Sequence, residues 1–154
     1  MMDGVELIPL RYVEDDRGWF LEIRRDSLLP RSTVQTNVSF SRRGVIRGLH
    51  YHERGQDDLF VCLTGMARVV VLDRESGERF TLDIGEENPV GVYIRGQLAH
   101  GFEALTDLLF CYHVTEEYDP ADPDEHGIPW DDDRVRDLWS TQSPILSERD
   151  RTSS

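Results

Sequence analysis

From Thr33 to Ser41 the chain alternates without a break. Gln35, Asn37, Ser39 and Ser41 fall on one side; Val34, Thr36, Val38 and Phe40 fall on the other. A period of two marks an extended strand, because successive side chains leave a strand on opposite faces. A strand with one wholly polar face constrains the fold strongly. That face needs water, hydrogen-bonding neighbours or a ligand, since an unpaired polar group in a dry core costs roughly 1–3 kcal/mol.

The rest of the sequence reads as β nearly throughout. Val5 to Tyr12 forms a first strand, with Pro9 marking an edge because proline cannot donate to a ladder. Asp15-Asp16-Arg17-Gly18 turns into a strand from Trp19 to Arg24. Arg42-Arg43-Gly44 turns into a strand through His50. Asp58 to Leu72 reads as two strands joined at Thr64-Gly65. Glu75-Ser76-Gly77-Glu78 is a hairpin turn before Arg79 to Ile84, and Val90 to Arg95 and Leu108 to Glu117 are further strands. Helical periodicity is confined to Asp132 to Trp139. The acidic, proline-bearing run from Asp119 to Asp124 is a loop, and the last residues are expected to fray. Many short strands with Gly, Asp and Pro turns predict an all-β sandwich or barrel. At 154 residues, one domain spanning 1–154 is expected. The polar-faced strand makes a barrel whose interior holds a small ligand the better of the two.

A formal net charge of −13 argues against nucleic acid and anionic membranes as partners. A small anionic ligand remains compatible, because a few arginines gathered in a pocket override the global field locally. The N-terminal stretch lacks the basic and apolar regions of a signal peptide, and no window has the apolar length of a membrane span. Cys62 and Cys111 sit in separate apolar runs, which predicts two reduced, buried thiols and a cytoplasmic protein.

Gly44-Val45-Ile46-Arg47-Gly48-Leu49-His50-Tyr51-His52 carries the clearest chemical signal. His50 and His52 are two apart, so they share one face of a strand. A single histidine in such a setting is usually a hydrogen-bonded core residue. Here His100 follows within Leu98-Ala99-His100-Gly101-Phe102, and His113 sits beside Tyr112 in another strand. Histidines converging from several strands point to a cavity that handles a proton or a metal ion. Arg47 lies three before His50 and would face away on a regular strand, but Gly48 permits a bulge that re-aims it. Arg17, in its turn, is a second cation suited to gripping a diphosphate, or else an ordinary surface residue. Tyr112 and Tyr118 are either packing residues or proton donors, since a phenol is protonated at neutral pH.

Taken together, these segments resemble the dTDP-4-dehydrorhamnose 3,5-epimerases. The residues that carry the likeness are Asp16-Arg17-Gly18-x-Phe20-x-Glu22, Gln35-x-Asn37-x-Ser39, Arg47-Gly48-Leu49-His50, Ala99-His100-Gly101-Phe102, Tyr112-x-x-Thr115-x-x-Tyr118 and Leu146-Ser147-Glu148-Arg149-Asp150. They occur in order over nearly the whole chain. The resemblance implies a cupin-type jelly-roll barrel with short helical segments near the C-terminus. It implies a homodimer, no cofactor, no resident metal, and a nucleotide-activated 4-keto-6-deoxyhexose as substrate. Under it, His50 is the base, Asp150 orients that base, and Tyr112 returns a proton from the other face of the sugar. His100 and Tyr118 line the sugar pocket. Arg17, Phe20, Glu22, Gln35, Asn37 and Arg47 hold the nucleotide and its diphosphate, the first three reaching over from the partner subunit.

One departure stands out. The family carries a lysine in a Gln-x-Lys pattern, facing the developing enolate, where this chain has Gln56-Asp57-Asp58. A repulsion in place of an attraction at ~4 Å is worth on the order of 4 kcal/mol at an effective dielectric of ~20. His52, at a position where the family usually has an uncharged residue, is a substitute donor in the substrate pocket. Three alternatives stay open: epimerisation with another donor, a single inversion, or a 3,4-ketoisomerase using the same enediol chemistry. A different class is a metal-dependent cupin enzyme with His50, His52, Asp57 or Asp58, and His100 as ligands.

Overall fold

The computed structural model describes residues 1–152. In chain order the strands are β1 (Val5–Pro9), β2 (Tyr12–Asp15), β3 (Gly18–Leu21), β4 (Gln35–Ser41), β5 (Ile46–Tyr51), β6 (Asp58–Thr64), β7 (Met66–Leu72), β8 (Arg79–Gly85), β9 (Val90–Ile94), β10 (Ala99–Ala104), β11 (Leu108–Val114) and the short β12 (His126–Gly127). One sheet runs β1-β9-β6-β11-β4 and the other β12-β5-β10-β7-β8, while β2 and β3 pair only with each other. This is a jelly-roll barrel of the cupin type.

β1 pairs only with β9, so Pro9 lies on an edge strand as its missing N–H requires. The first strand nevertheless stops at Pro9, and Tyr12 opens the separate β2–β3 hairpin. β3 also ends at Leu21, short of Arg24, and the chain then makes a 3-10 turn at Asp26–Leu28. Thr64-Gly65 does join two strands, but β6 and β7 belong to different sheets, so this corner crosses the barrel. β10 was not visible as a strand, because its mixture of Ala, His, Gly, Phe and Glu shows no alternation. The periodic stretch from Asp132 to Trp139 forms only a 3-10 turn at Arg136–Leu138. α1 (Glu148–Thr152) is a short helical segment near the C-terminus, as the resemblance implied, and of the last residues expected to fray, 153 and 154 lie outside the described residues.

The barrel interior is apolar at one end, with Val69, Val71, Ile84, Val92 and Ile94 buried between the sheets. Phe102 and Phe110 stack at 3.8 Å between ring centroids, and Phe60 meets Phe110 edge-on at 5.1 Å. A second apolar layer, Ile46, Leu49, Val70 and Leu72, is covered by Val135 and Trp139 of the C-terminal segment. A third, Leu59, Val61, Tyr93 and Cys111, is covered by Ile8, Leu10, Ile23 and Leu29. Cys62 packs in the interior cluster and Cys111 in the third layer, so the two free thiols lie on opposite sides of one sheet. Burial pushes the Cys62 thiol up to about 12. No described helix is long and apolar enough to cross a membrane.

Candidate active site

The polar end of the barrel is an open cavity of about 1060 Å³. β4 turns Gln35 and Asn37 toward it, while Val38 and Phe40 on its other side are exposed. The amphipathic strand therefore points its polar face inward, the reverse of an ordinary sheet edge.

β5 supplies the base through a bulge. His50 pairs with His100 and Arg47 with Phe102, so Gly48 and Leu49 together face the single residue Gly101. Ile46 and Leu49 consequently share the outer apolar layer, and Arg47 and His50 both line the cavity. Gly48 has φ +138°, and a Cβ there would lie 2.8 Å from Gly101 Cα, so only glycine fits. Arg47 is held along the wall by Ser41 Oγ at 2.9 Å and by the Phe40 carbonyl at 3.1 Å.

Asp150 is buried on α1. Its Oδ1 lies 2.7 Å from His50 Nε2, and its Oδ2 accepts from the Gly48 N–H at 3.2 Å. Burial alone would raise the Asp150 carboxyl, but the His50 and Gly48 contacts outweigh it and hold it below its usual range. The carboxylate thus fixes the Nε2–H tautomer of His50 and leaves the Nδ1 lone pair free. The Arg149 guanidinium lies 3.2 Å from the same Nε2, donor beside donor and so not a hydrogen bond, and pairs with Glu125 at 2.8 Å. Glu125 Oε1 also lies 3.9 Å from His50 Nδ1. Glu125 was not foreseen from sequence: it belongs to an acidic loop with no periodic signal. Arg149 stood inside a matched segment with no role assigned.

Tyr112 faces the cavity from β11, in the opposite sheet. Burial raises its phenol above the ordinary value, and Asp58 and Glu125 add to this, so it is protonated at neutral pH. Tyr118 lies at the mouth, its N–H bonded to Gln35 Oε1 at 2.9 Å. His113, one residue from Tyr112, points the other way and bonds Thr36 at 2.8 Å. It takes no part in the convergence of histidines; burial pushes it down to about 4.

Asp58, at the family's lysine position, is buried and turned into the cavity wall. Its Oδ2 lies 3.4 Å from His100 Nε2 and its Oδ1 3.6 Å from His52 Nε2. Gln56 donates to Asp58 Oδ1 at 2.9 Å. The four-residue metal set expected as an alternative does not assemble as such. His50 is engaged by Asp150, and Asp57 accepts from Tyr93 Oη at 2.6 Å and from the Gly96 N–H at 3.0 Å.

Gly96 locks this wall together. It accepts from the His52 N–H at 2.7 Å, and a Cβ on it would lie 1.6 Å from the Gln56 carbonyl oxygen. Gly96→Ala is therefore expected to cost about 2–3 kcal/mol by overpacking. The checking measurement is a thermal melt, with Tm lowered by roughly 4–12 °C for a chain of this size.

Arg17, Phe20 and Glu22 lie outside this cavity. They ride on or next to the exposed β2–β3 hairpin, where Arg17 pairs with Asp15 and Glu22 with Arg25.

A family model described as dTDP-4-dehydrorhamnose 3,5-epimerase matches residues 1–154. The chain belongs to the dTDP-4-dehydrorhamnose 3,5-epimerase family. The spore coat polysaccharide biosynthesis protein SpsL of Bacillus subtilis is 41% identical over 150 residues, covering 92% of this chain and 99% of that protein. NovW, a 4-keto-6-deoxy sugar epimerase from the novobiocin gene cluster of Streptomyces spheroides, superposes with a TM-score of 0.87 at 32% identity, covering 98% of this chain and 82% of NovW. The RmlC epimerase of Legionella pneumophila, solved in complex with dTDP-4-keto-L-rhamnose, gives a TM-score of 0.87 at 28% identity over 99% of this chain and 87% of that one.

Proposed function

We propose that this member of the epimerase family inverts a nucleotide-activated 4-keto-6-deoxyhexose at one or both carbons flanking the ketone, in deoxysugar biosynthesis. A C–H beside a ketone is acidified because the resulting carbanion is an enolate. In this reading His50 removes that proton and the Asp150 carboxylate stabilises the imidazolium that forms. Tyr112 then delivers a proton to the opposite face, and the carbon inverts. The observation that carries the proposal is the His50–Asp150 contact of 2.7 Å on one wall with the Tyr112 phenol on the facing sheet. An acid and a base on the same wall would give exchange without inversion.

The proposal extends to one catalytic unit spanning residues 1–154, acting as a homodimer in the cytosol without a separate organic cofactor. Supporting a dimer, Trp19 and Phe20 on the hairpin and Val38 and Phe40 on the outer face of β4 are exposed apolar groups that one chain leaves uncovered. Arg17, Phe20 and Glu22 then complete the nucleotide subsite of the partner. Gln35, Asn37 and Arg47 hold the nucleotide from within, and His52, His100 and Tyr118 contact the sugar.

The test is incubation with dTDP-4-keto-6-deoxyglucose in D2O. Wild-type protein is expected to incorporate deuterium next to the ketone. Absence of exchange on any 4-keto sugar nucleotide would end the reading. Tyr112→Phe is expected to keep measurable exchange while net inversion falls by roughly 10²-fold, the usual worth of a positioned acid. Mass spectrometry reads the first quantity and NMR of the product sugar the second.

A further inference from the structure

We propose that His52, Asp58 and His100 form a binding site for one divalent transition-metal ion. All three side chains are buried, and their ligand atoms lie within 4.8 Å of one another. A tetrahedral ion with bonds of ~2.0–2.1 Å separates neighbouring ligand atoms by about 3.4 Å. The Asp58 oxygens lie 3.4 Å from His100 Nε2 and 3.6 Å from His52 Nε2. The pairwise spacing therefore fits an ion bridging the carboxylate to each imidazole.

The outer contacts of the two histidines carry the inference further. His52 Nδ1 lies 2.6 Å from the Asp124 carbonyl, and His100 Nδ1 lies 2.8 Å from the Leu98 carbonyl. A carbonyl only accepts, so each Nδ1 holds a proton. Each ring then directs its Nε2 toward Asp58. Two imidazole nitrogens and a carboxylate thus converge in one buried pocket, the donor types that a divalent transition ion takes. Backbone carbonyls orienting the far nitrogen are how metal-ligating histidines are commonly set. The Gln56 amide nitrogen stands 3.2 Å from His52 Nε2 and 2.9 Å from Asp58 Oδ1, the place a cation would contest. All three ligand residues border the open cavity, which gives an ion an entry path and leaves a coordination position facing a ligand.

Charge supplies an independent reason. Exchanging the family's lysine for Asp58 changes the site by two units, from +1 to −1, and a divalent ion returns exactly that difference. The ion would supply Lewis acidity where the family has an ammonium. This last role rests on the epimerase reading; binding of the ion does not.

The experiment uses untagged, full-length protein stripped with EDTA and titrated with Co2+. Visible d–d absorption reads the geometry, and elemental analysis reads the stoichiometry. One ion per chain is expected. Affinity should fall at least ~100-fold in His52→Ala and in the near-isosteric Asp58→Asn, and binding should vanish in Asp58→Lys. His50→Ala should bind as wild type does, because His50 is not a ligand. Wild-type protein with only substoichiometric ion would overturn the proposal, as would binding unchanged in folded Asp58→Asn and Asp58→Lys. The two readings separate cleanly. Ion bound without deuterium exchange sustains the metal site and removes the epimerase reading, whereas exchange in ion-free protein that cannot take up Co2+ does the reverse.

Discussion

Replacing His50 with alanine is expected to lower deuterium incorporation beside the ketone by roughly 10²–10⁴-fold, the contribution of a positioned general base. No neighbouring group can stand in for it. Asp150 is buried, and in the variant it stays tied to the Gly48 N–H at 3.2 Å. Glu125, 3.9 Å from His50 Nδ1, is committed to Arg149 at 2.8 Å. Asp150→Asn should produce a partial loss, because the carboxamide keeps a contact to the ring but no longer stabilises an imidazolium. Truncating His50 also strips Asp150 of its partner, at a cost of about 1–3 kcal/mol for a buried group losing a hydrogen bond. A melt run beside the exchange assay separates unfolding from lost chemistry. Exchange within tenfold of wild type in folded His50→Ala would remove the histidine from its role.

The parts legible in the sequence were those written in local pattern. β4 declared itself by alternation, the β7–β8 hairpin by Glu75-Ser76-Gly77-Glu78, and the β5 bulge by a glycine between two polar residues that needed the same face. The proximity of His50 and Asp150, a hundred positions apart, was not in any local pattern and came only through family resemblance. β10 escaped because a strand buried on both faces has no reason to alternate, and its six residues are all buried. The helical reading of Asp132 to Trp139 failed for the opposite reason. Its apolar spacing serves Val135 and Trp139, which cap the outer layer over Ile46 and Leu49 from an irregular backbone. His113 was counted among the converging histidines, but adjacent strand residues point to opposite faces and it is its neighbour Tyr112 that lines the cavity. Asp58 looked like a liability as a lone substitution. Only the third dimension shows two imidazoles and an amide gathered around it.

Phe110→Ala is expected to be the most destabilising single change in the barrel, at about 3–5 kcal/mol for a fully buried aromatic cut back to a methyl. Phe110 has no exposed surface, stacks on Phe102 with an interplanar angle of 12°, and meets Phe60 edge-on. Such aromatic pairs add roughly 0.5–1.5 kcal/mol beyond the area they bury. The cavity left behind would have little means of collapsing, because Phe60 and Phe102 are themselves pinned within two different sheets by β6 and β10. Urea denaturation should therefore show a lower midpoint at an unchanged slope. The consequence reaches the chemistry through the backbone. Phe110 and Tyr112 are two apart on β11 and share its inner face, and Phe60 and Phe102 form the bottom of the substrate cavity. Molecules that remain folded should hold the Tyr112 phenol less firmly and lose inversion more than exchange. Equal losses in both, at full stability, would show that the aromatic floor does not position the acid.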